Sequence, residues 1–344
     1  MGVLVFLLAV VPVSGRNDGF TMHLLRAESP GPNVAKLVPR IRSTAGILYI
    51  LYIVLTVVDF LLLIVGKMPV LEAVCTAFGT AGTGGFGVKN DSMASYSPYI
   101  QNVCTVFMLL FGVNFSCYYL LIMKQVKSVY KDEELRLYVG MVLGSVLLIV
   151  INLRGFYGTF EETVRHAFFQ VASIVTTTGF ATTDFDLWPG FSKSILLCLM
   201  VVGACAGSTG GGFKCGRLLL VFKSLRRNIQ KMLRPQRIQA VRSNKQVVSE
   251  KVLENTNAYL AAYVLIIMFS LLVTSIDGFS VGTNFSAVLA CFNNIGPGLE
   301  LVGPTCNFSI YSPLAKIVLI FDMLAGRLEI FPILILLSRD TWRR

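Results

Sequence analysis

The chain alternates between apolar stretches long enough to cross a lipid bilayer and apolar stretches too short to do so. A helix needs about 20 residues to span the hydrocarbon layer. Short stretches at 70–79, 161–175 and 282–292 each follow a longer one, end in a glycine-containing turn and precede another long stretch. Backbone that turns inside a membrane must be buried in protein or line an aqueous cavity. The pattern therefore predicts helices that enter the membrane partway and turn back.

The three glycine turns are the second constraint. They read TAGTGGFG at 80–87, TTTGF at 176–180 and NNIGPG at 293–298. A half-helix that ends inside the membrane directs the negative end of its dipole inward, which favours a cation there. Glycine permits backbone angles that let successive carbonyl oxygens replace an ion's hydration shell. A single turn of this kind also fits an ordinary surface loop, but three at matching places predict a cation filter.

Composition agrees with a membrane location. Apolar residues make up 54% of the 344 residues and charged residues 14%, whereas soluble domains average about 25% charged residues. The sequence therefore predicts an all-α integral membrane protein. The eight cysteines and two histidines show no metal-ligand or redox spacing, so we expect the thiols to act as small buried apolar groups. The sequence contains no recognisable set of catalytic residues, and an enzyme is not expected.

The net charge of +11 is concentrated in a few segments. Most basic residues between Lys214 and Lys251 are assigned to one loop, at 223–251, and others lie at 16–42 and at the C-terminus. Under the positive-inside rule these segments face the cytoplasm, and the glycine turns face outward. Because the basic segments flank membrane spans, we expect contact with the lipid bilayer and no nucleic-acid partner.

The apolar stretches organise the chain into hairpin repeats. Each repeat consists of a span, a re-entrant half-helix, a turn and a span, with a period of roughly one hundred residues. The predicted spans are 46–66, 98–123, 136–153, 192–222, 256–276 and 311–337. The units are 1–45, the end of a first-repeat inner helix with its cytoplasmic loop; 46–130, the second repeat; 131–255, the third repeat; and 256–344, the fourth repeat.

The apolar residues 2–14 permit two interpretations. They lack a basic segment before them, so they make a poor signal peptide. We prefer the end of a membrane helix whose beginning is not in the sequence. Three repeats do not close a four-fold ring. We therefore expect three complete repeats of four, in an N-terminally truncated chain.

A run of small residues at 203–212 interrupts the span predicted at 192–222. Glycine costs about 1 kcal/mol per site relative to alanine in a helix. We therefore expect a loop inside the membrane, placed to obstruct a pore just below the filter. Close packing of the glycines against a neighbouring helix is the alternative. The GSTGGGFK sequence also resembles a phosphate-binding loop, but the Walker spacing is missing.

Two charged residues lie within predicted spans. A charge inside a membrane is a functional candidate by default. Arg327 either pairs with Glu329 or Asp322 as a structural charge, or faces the pore and contacts carbonyls of the 203–212 loop; we favour the second interpretation. Asp59, in the span at 46–66, has no assigned role.

Five motifs together resemble the TrkH/KtrB family of potassium uptake subunits. They are AGTGGFG, VTTTGFAT, GACAGSTGGGFK, NNIGPGLE and LAGRLEIFPIL. The resemblance extends over essentially the whole chain. It implies a potassium channel folded into one chain, with tandem helix–pore loop–helix repeats around a pseudo-four-fold pore in the cell membrane.

The resemblance also implies roles for individual residues. K⁺ would be held by Thr83, Gly84, Gly85, Thr177, Thr178, Gly179, Asn294, Ile295 and Gly296. The gate would consist of Gly203, Gly207, Ser208, Thr209, Gly210, Gly211 and Gly212, with Arg327 as the basic residue of the last helix. K⁺ would be the transported ion, and no organic cofactor is implied.

Partners follow from the resemblance as well. It implies a homodimer and a cytoplasmic nucleotide-binding regulatory subunit of the TrkA/KtrA type. The basic loop at 223–251 either contributes to that docking face or is an ordinary solvated loop. Three alternatives to potassium uptake stay open: a Na⁺-permeable pore, a cation-coupled secondary transporter (a symporter), or an inactive fragment.

Overall fold

A computed structural model describes residues 41–234, 240–244, 246–328 and 330–337. The segments predicted at 2–14 and 16–42 lie almost entirely outside these residues. The helices in the described part are α1 (Ile41–Val65), α2 (Val70–Ala81), α3 (Pro98–Gly112), α4 (Phe115–Ile122), α5 (Val126–Tyr130), α6 (Glu133–Asn152), α7 (Phe160–Val175), α8 (Gly190–Val201), α9 (Cys215–Leu233), α10 (Glu250–Thr274), α11 (Val281–Phe292), α12 (Pro313–Leu328) and α13 (Ile330–Leu337).

Strands are confined to one short antiparallel hairpin in the described residues. Its strands are β1 (Arg242–Ser243) and β2 (Gln246–Val247). The prediction of an all-α membrane fold is confirmed. Among the described residues, α1, α6 and α10 are long and apolar enough to cross a membrane.

The short helices form where the sequence predicts half-helices. Each begins at a residue that satisfies or tolerates free amide groups: Pro69 precedes α2, and the hydroxyls of Thr159 and Ser280 accept from amides in the first turns of α7 and α11. Such caps set where a helix starts. Each short helix ends within one residue of the glycine turn that follows it.

The short helices lie inside, and the long ones surround them. α2 packs against α1 and α3, α7 against α3, α6 and α8, and α11 against α10 and α12. Most of α7 and α11 is buried. By contrast, α1 exposes large apolar side chains such as Ile50, Val54 and Leu61. This arrangement holds the C-terminal ends of α2, α7 and α11 in the interior.

The span predicted at 98–123 is not one straight helix. α3 and α4 are separated by a bend of 88°. Asn114 stops the first helix and starts the second, because its side-chain oxygen accepts a 2.9 Å hydrogen bond from the Ser116 amide. The Phe115 amide donates to the Gly207 carbonyl at 3.3 Å. The 203–212 loop therefore binds at this bend.

The segment predicted as a basic loop at 223–251 is only partly a loop. α9 continues to Leu233, and the chain forms the β1–β2 hairpin before α10 begins. The charges hid a helical period, since Leu220 and Ser224 are buried four residues apart on one face of α9.

Candidate functional site

The three glycine turns share one backbone conformation. In each turn the first and third residues of a triplet have positive φ and the middle residue does not. The values are 51° at Thr83, 64° at Gly85, 58° at Thr177, 89° at Gly179, 56° at Asn294 and 105° at Gly296. Positive φ is uncommon outside glycine and costs roughly 1–2 kcal/mol per residue. Three repeats of the same strained pattern indicate a functional constraint on the backbone.

In each turn, the backbone amide of the middle residue donates a hydrogen bond to a carbonyl of the preceding half-helix. Gly84 donates to the Gly79 carbonyl at 2.8 Å and Thr178 to the Ser173 carbonyl at 2.9 Å. Ile295 donates to Ala290 at 2.8 Å in the same way. The turn carbonyls, in contrast, accept no hydrogen bond from the described residues; they belong to Thr83, Gly84, Thr177, Thr178, Asn294 and Ile295. Unused carbonyl oxygens of this kind are ligands for a cation.

The turns lie side by side in sequence order. A Cβ atom added to Gly85 would overlap the Thr178 carbonyl, and one added to Gly179 would overlap the Ile295 carbonyl. No described atom lies within 4 Å of a Cβ built on Gly296. The first turn therefore adjoins the second and the second adjoins the third, with no room for a side chain at either junction.

The 203–212 loop contacts all three turns. The Gly211 amide donates to the Thr177 hydroxyl at 2.7 Å, and the Thr83 hydroxyl donates to the Thr209 carbonyl at 3.0 Å. A Cβ on Gly211 would come within 2.9 Å of the Asn293 carbonyl. We call residues 203–212 the intramembrane loop.

The intramembrane loop is also attached to the end of α3. The Cys205 amide donates to Gly112 at 3.1 Å, and the Thr209 amide donates to Phe111 at 3.4 Å. Helix C-termini leave carbonyls without intrahelical partners, and the loop satisfies these two. Within the loop, the Ser208 hydroxyl donates to the Cys205 carbonyl at 2.6 Å.

Close packing accounts for the glycines at the end of the loop. Cβ atoms added to Gly210 and Gly212 would lie 3.0 Å from the Thr176 carbonyl and 2.6 Å from the Asn293 side-chain oxygen, respectively. Gly203 is similarly enclosed by the Gly211 carbonyl. These glycines pack against the residues that follow two half-helices and against the loop itself, so packing against a neighbouring helix without a gate stays an untested alternative.

Lys214 has a different position from the one predicted. Its charge groups it with the basic cytoplasmic residues, but its side chain is buried and its ammonium group donates to the Gly210 carbonyl. The lysine follows the glycine run directly and precedes an apolar stretch. That local context, rather than total charge, was the signal for its interior position.

Arg327 reaches the first glycine turn. Its guanidinium donates to the carbonyl of Gly82, in the first turn, at 3.4 Å. Asp322, a possible partner of Arg327, accepts a 2.8 Å hydrogen bond from the Ser270 hydroxyl. Glu329 lies outside the described residues. Arg327 thus lies next to a glycine turn. The charged group that contacts the intramembrane loop is the ammonium group of Lys214, which follows the loop in sequence.

The polar side chains of the turns bond to protein neighbours. The Thr178 and Thr176 hydroxyls are 2.8 Å apart, and the Asn294 amide donates to Met323 at 3.1 Å. Outside the spans, Glu300 follows the third turn. Hydrogen bonds from the Ser280 and Thr283 hydroxyls hold the pKa of Glu300 below its ordinary value of 4.5. A carboxylate is thus kept charged near that turn.

Comparison with known proteins identifies the family to which the chain is related. The sequence profile of the TrkH family, described as a cation transport protein, matches residues 1–153 and 158–342. The chain belongs to the TrkH family. Members are membrane transport proteins, so the predictions of a membrane location and of a non-enzyme are confirmed.

Individual TrkH relatives cover the whole chain. It is 36% identical to the Trk system potassium uptake protein TrkH of Escherichia coli over 351 residues, which is all of this chain and 71% of the relative. The Salmonella typhimurium TrkH gives the same identity and coverage. The crystal structure of the potassium transporter TrkH from Vibrio parahaemolyticus superposes with a TM-score of 0.83 and 31% identity, covering 99% of this chain and 70% of that one.

Proposed function

We propose that this chain conducts potassium ions into the cell through a filter lined by the three glycine turns. The observation that carries the proposal is the shared backbone of the turns: the middle amides bond back to the half-helices, while the turn carbonyls accept no hydrogen bond from the described residues. The names of the E. coli and V. parahaemolyticus relatives support potassium as the ion. Neutral carbonyl oxygens replace the hydration shell of K⁺ in such filters.

The filter residues act through their main chain. Thr83, Thr177 and Asn294 hold the left-handed conformation at the first triplet position, and Gly85 and Gly179 allow neighbouring turns to approach. We infer that a fourth wall completes the ring beside Gly296, where the described residues leave space. The family resemblance implies that the first repeat supplies it.

The intramembrane loop is the proposed gate. It bonds to the first and second turns and lies against the third, so an ion leaving the filter meets it directly. The ammonium of Lys214 on the loop carbonyl adds a positive charge that opposes a cation. Like charges a few ångströms apart repel strongly in a medium of low dielectric constant. Displacement of the loop therefore opens the path.

Uptake by cells tests the proposal. The gene, with its natural flanking sequence, is expressed in a bacterial strain that lacks its own potassium uptake systems. We expect growth at low K⁺ and uptake of ⁸⁶Rb⁺ that external K⁺ competes with and Na⁺ does not. Uptake of ²²Na⁺ at the same rate would favour the Na⁺-permeable alternative, and absence of both fluxes would contradict the proposal.

We also propose that the exposed basic surface of α9 contributes to docking of the cytoplasmic nucleotide-binding subunit. Arg226, Lys231 and Arg234 are exposed on this helix. Exposed charges of one sign steer a complementary partner. Reversal of the first two charges, in Arg226→Glu and Lys231→Glu, should weaken co-purification with a TrkA/KtrA-type subunit. The homodimer stays a prediction, which the mass of the purified protein in detergent tests.

A further inference from the structure

The first turn of α6 touches both the intramembrane loop and the cytoplasmic hairpin. Glu134 faces the loop: its carboxylate accepts a 2.6 Å hydrogen bond from the Ala206 amide. The same carboxylate lies over the start of α9, because a Cβ added to Gly216 would come within 3.0 Å of the Glu134 Oε1 atom. Glu134 thus contacts the loop itself and the helix that follows it.

Glu134 differs in kind from the other attachments of the loop. The bonds from Cys205 and Thr209 to the end of α3 join neutral groups. Hydrogen bonds to a charged acceptor are roughly twice as strong as neutral ones. Two ionisable side chains therefore bond to the loop in the described residues, Lys214 at the Gly210 carbonyl and Glu134 at the Ala206 amide.

The neighbouring residues of the same turn bind the β1–β2 hairpin. Asn244, at the tip of the hairpin, accepts from the Glu133 amide at 3.0 Å and donates through its side chain to the Asp132 carboxylate at 2.8 Å. The Asn244 amide donates to the Glu133 carboxylate at 3.1 Å. Lys223 of α9 joins this group through Glu133 and through the Arg242 carbonyl at 2.7 Å.

Through these contacts, the first turn of α6 connects the β1–β2 hairpin to the intramembrane loop. We propose that Glu134 positions the intramembrane loop, and that the hairpin controls Glu134 by binding the same helical turn through Asn244. A cytoplasmic partner that moves the hairpin then moves the loop. The inference deepens the proposed gating function and rests on it for its effect on flux, but not for its effect on the loop itself.

A native cysteine reports on the loop without any need for conduction. Cys205 lies in the loop and is fully buried, and Cys104 in α3 is equally buried and serves as an internal reference. Alkylation of the purified full-length protein is followed for each cysteine by mass spectrometry. We expect Glu134→Gln to raise the rate at Cys205 on the order of tenfold, because a neutral amide oxygen accepts a weaker hydrogen bond from the Ala206 amide than a carboxylate does. Cys104 should not change.

Two further variants keep the test decisive. Glu250→Gln is the matched control, since Glu250 is a carboxylate that pairs with Arg227 at 2.6 Å and makes no hydrogen bond or ion pair with the loop in the described part of the chain. It should leave Cys205 unchanged. Glu134→Asp keeps the charge with a shorter side chain and should give a smaller, still selective increase. Absence of a selective increase in both Glu134 variants would overturn the inference.

The hairpin is tested by combination. Asn244→Ala should raise Cys205 alkylation several-fold in the native protein and add nothing in the Glu134→Gln background, because both changes act through one contact. Equal effects in both backgrounds would overturn the role of the hairpin. If Cys205 becomes accessible while ⁸⁶Rb⁺ uptake stays at the native rate, the role of Glu134 in positioning the loop is supported and the proposed gating function is contradicted.

Discussion

The Gly211 amide donates a 2.7 Å hydrogen bond to the side-chain hydroxyl of Thr177. Gly211 belongs to the intramembrane loop, and Thr177 is the first left-handed residue of the second glycine turn. One bond therefore joins the proposed gate to the proposed filter. Its acceptor is a side chain, so it can be removed without a change to the main chain of either element.

Thr177→Val should release the loop from the second turn. Valine has nearly the same shape as threonine but offers no acceptor to the Gly211 amide. A neutral hydrogen bond contributes about 0.5–1.5 kcal/mol, so we expect basal ⁸⁶Rb⁺ uptake to rise several-fold. Thr182→Val is the control. The buried hydroxyl of Thr182 bonds to His166 Nδ1 at 2.9 Å instead of to the loop. Equal uptake by the two variants would count against the bond as a latch.

Lys214→Met should lower the barrier at the gate. Methionine retains most of the length of the side chain but removes the charge beside the Gly210 carbonyl. We expect a rise in unidirectional ⁸⁶Rb⁺ flux in liposomes, on the order of tenfold, since a fixed positive charge opposes a cation most strongly away from water. Lys231→Met, at an exposed position on α9, should not change the flux. A decrease with Lys214→Met would contradict the role of its charge.

Asp59→Thr should stabilise the protein. Asp59 is fully buried in α1, and neither carboxyl oxygen has a hydrogen-bond partner within the described part of the chain. Unsatisfied buried polar groups cost about 1–3 kcal/mol each. Threonine is close in size, and its hydroxyl can bond the carbonyl four residues back, as Thr56 bonds Tyr52 at 2.8 Å. The expected result is a higher Tm in detergent with unchanged ⁸⁶Rb⁺ uptake; a lower Tm would indicate that the carboxyl has a required partner.

Glu300→Gln should make the stability of the region beyond the third turn less dependent on acid pH. The pKa of Glu300 is lowered in the folded protein, by hydrogen bonds from Ser280 and Thr283. Its stabilising contribution is therefore present at neutral pH and is lost as the pH falls through the lowered pKa. Because the group is largely exposed, the effect is small. The difference in Tm between native protein and variant should disappear in acid, and a difference that grew on acidification would contradict this assignment.

The sequence predicted the class of fold and the positions of the turns for physical reasons. Helix length against bilayer thickness separated α2, α7 and α11 from the spans. Glycine marks the tight junctions at Gly85 and Gly179 because no side chain fits there. These are local properties, and local properties are visible in a single sequence.

The errors arose where distant segments meet. The bend between α3 and α4 depends on the Gly207 carbonyl binding the Phe115 amide, a contact between different repeats. The interior position of Lys214 and the contact of Arg327 with Gly82 likewise depend on tertiary packing. The role of Glu134 has no signal in the sequence, where it is one acidic residue in a charged segment. The sequence assigns these charged residues to a side of the membrane from the charge of their segment. Their contacts with residues distant in the sequence cannot be read from that charge.

The central claim is that the carbonyls of the glycine turns form the ion path, and a pair of glycine variants tests it most directly. Gly179 and Gly155 both have positive φ, 89° and 79°, so alanine strains the backbone similarly at each. Only at Gly179 does the added methyl group overlap a turn carbonyl, that of Ile295, whereas Gly155 has open space. In liposomes, Gly179→Ala should abolish ⁸⁶Rb⁺ flux or its preference over Na⁺, while Gly155→Ala retains both. Native flux and selectivity in Gly179→Ala would contradict the account.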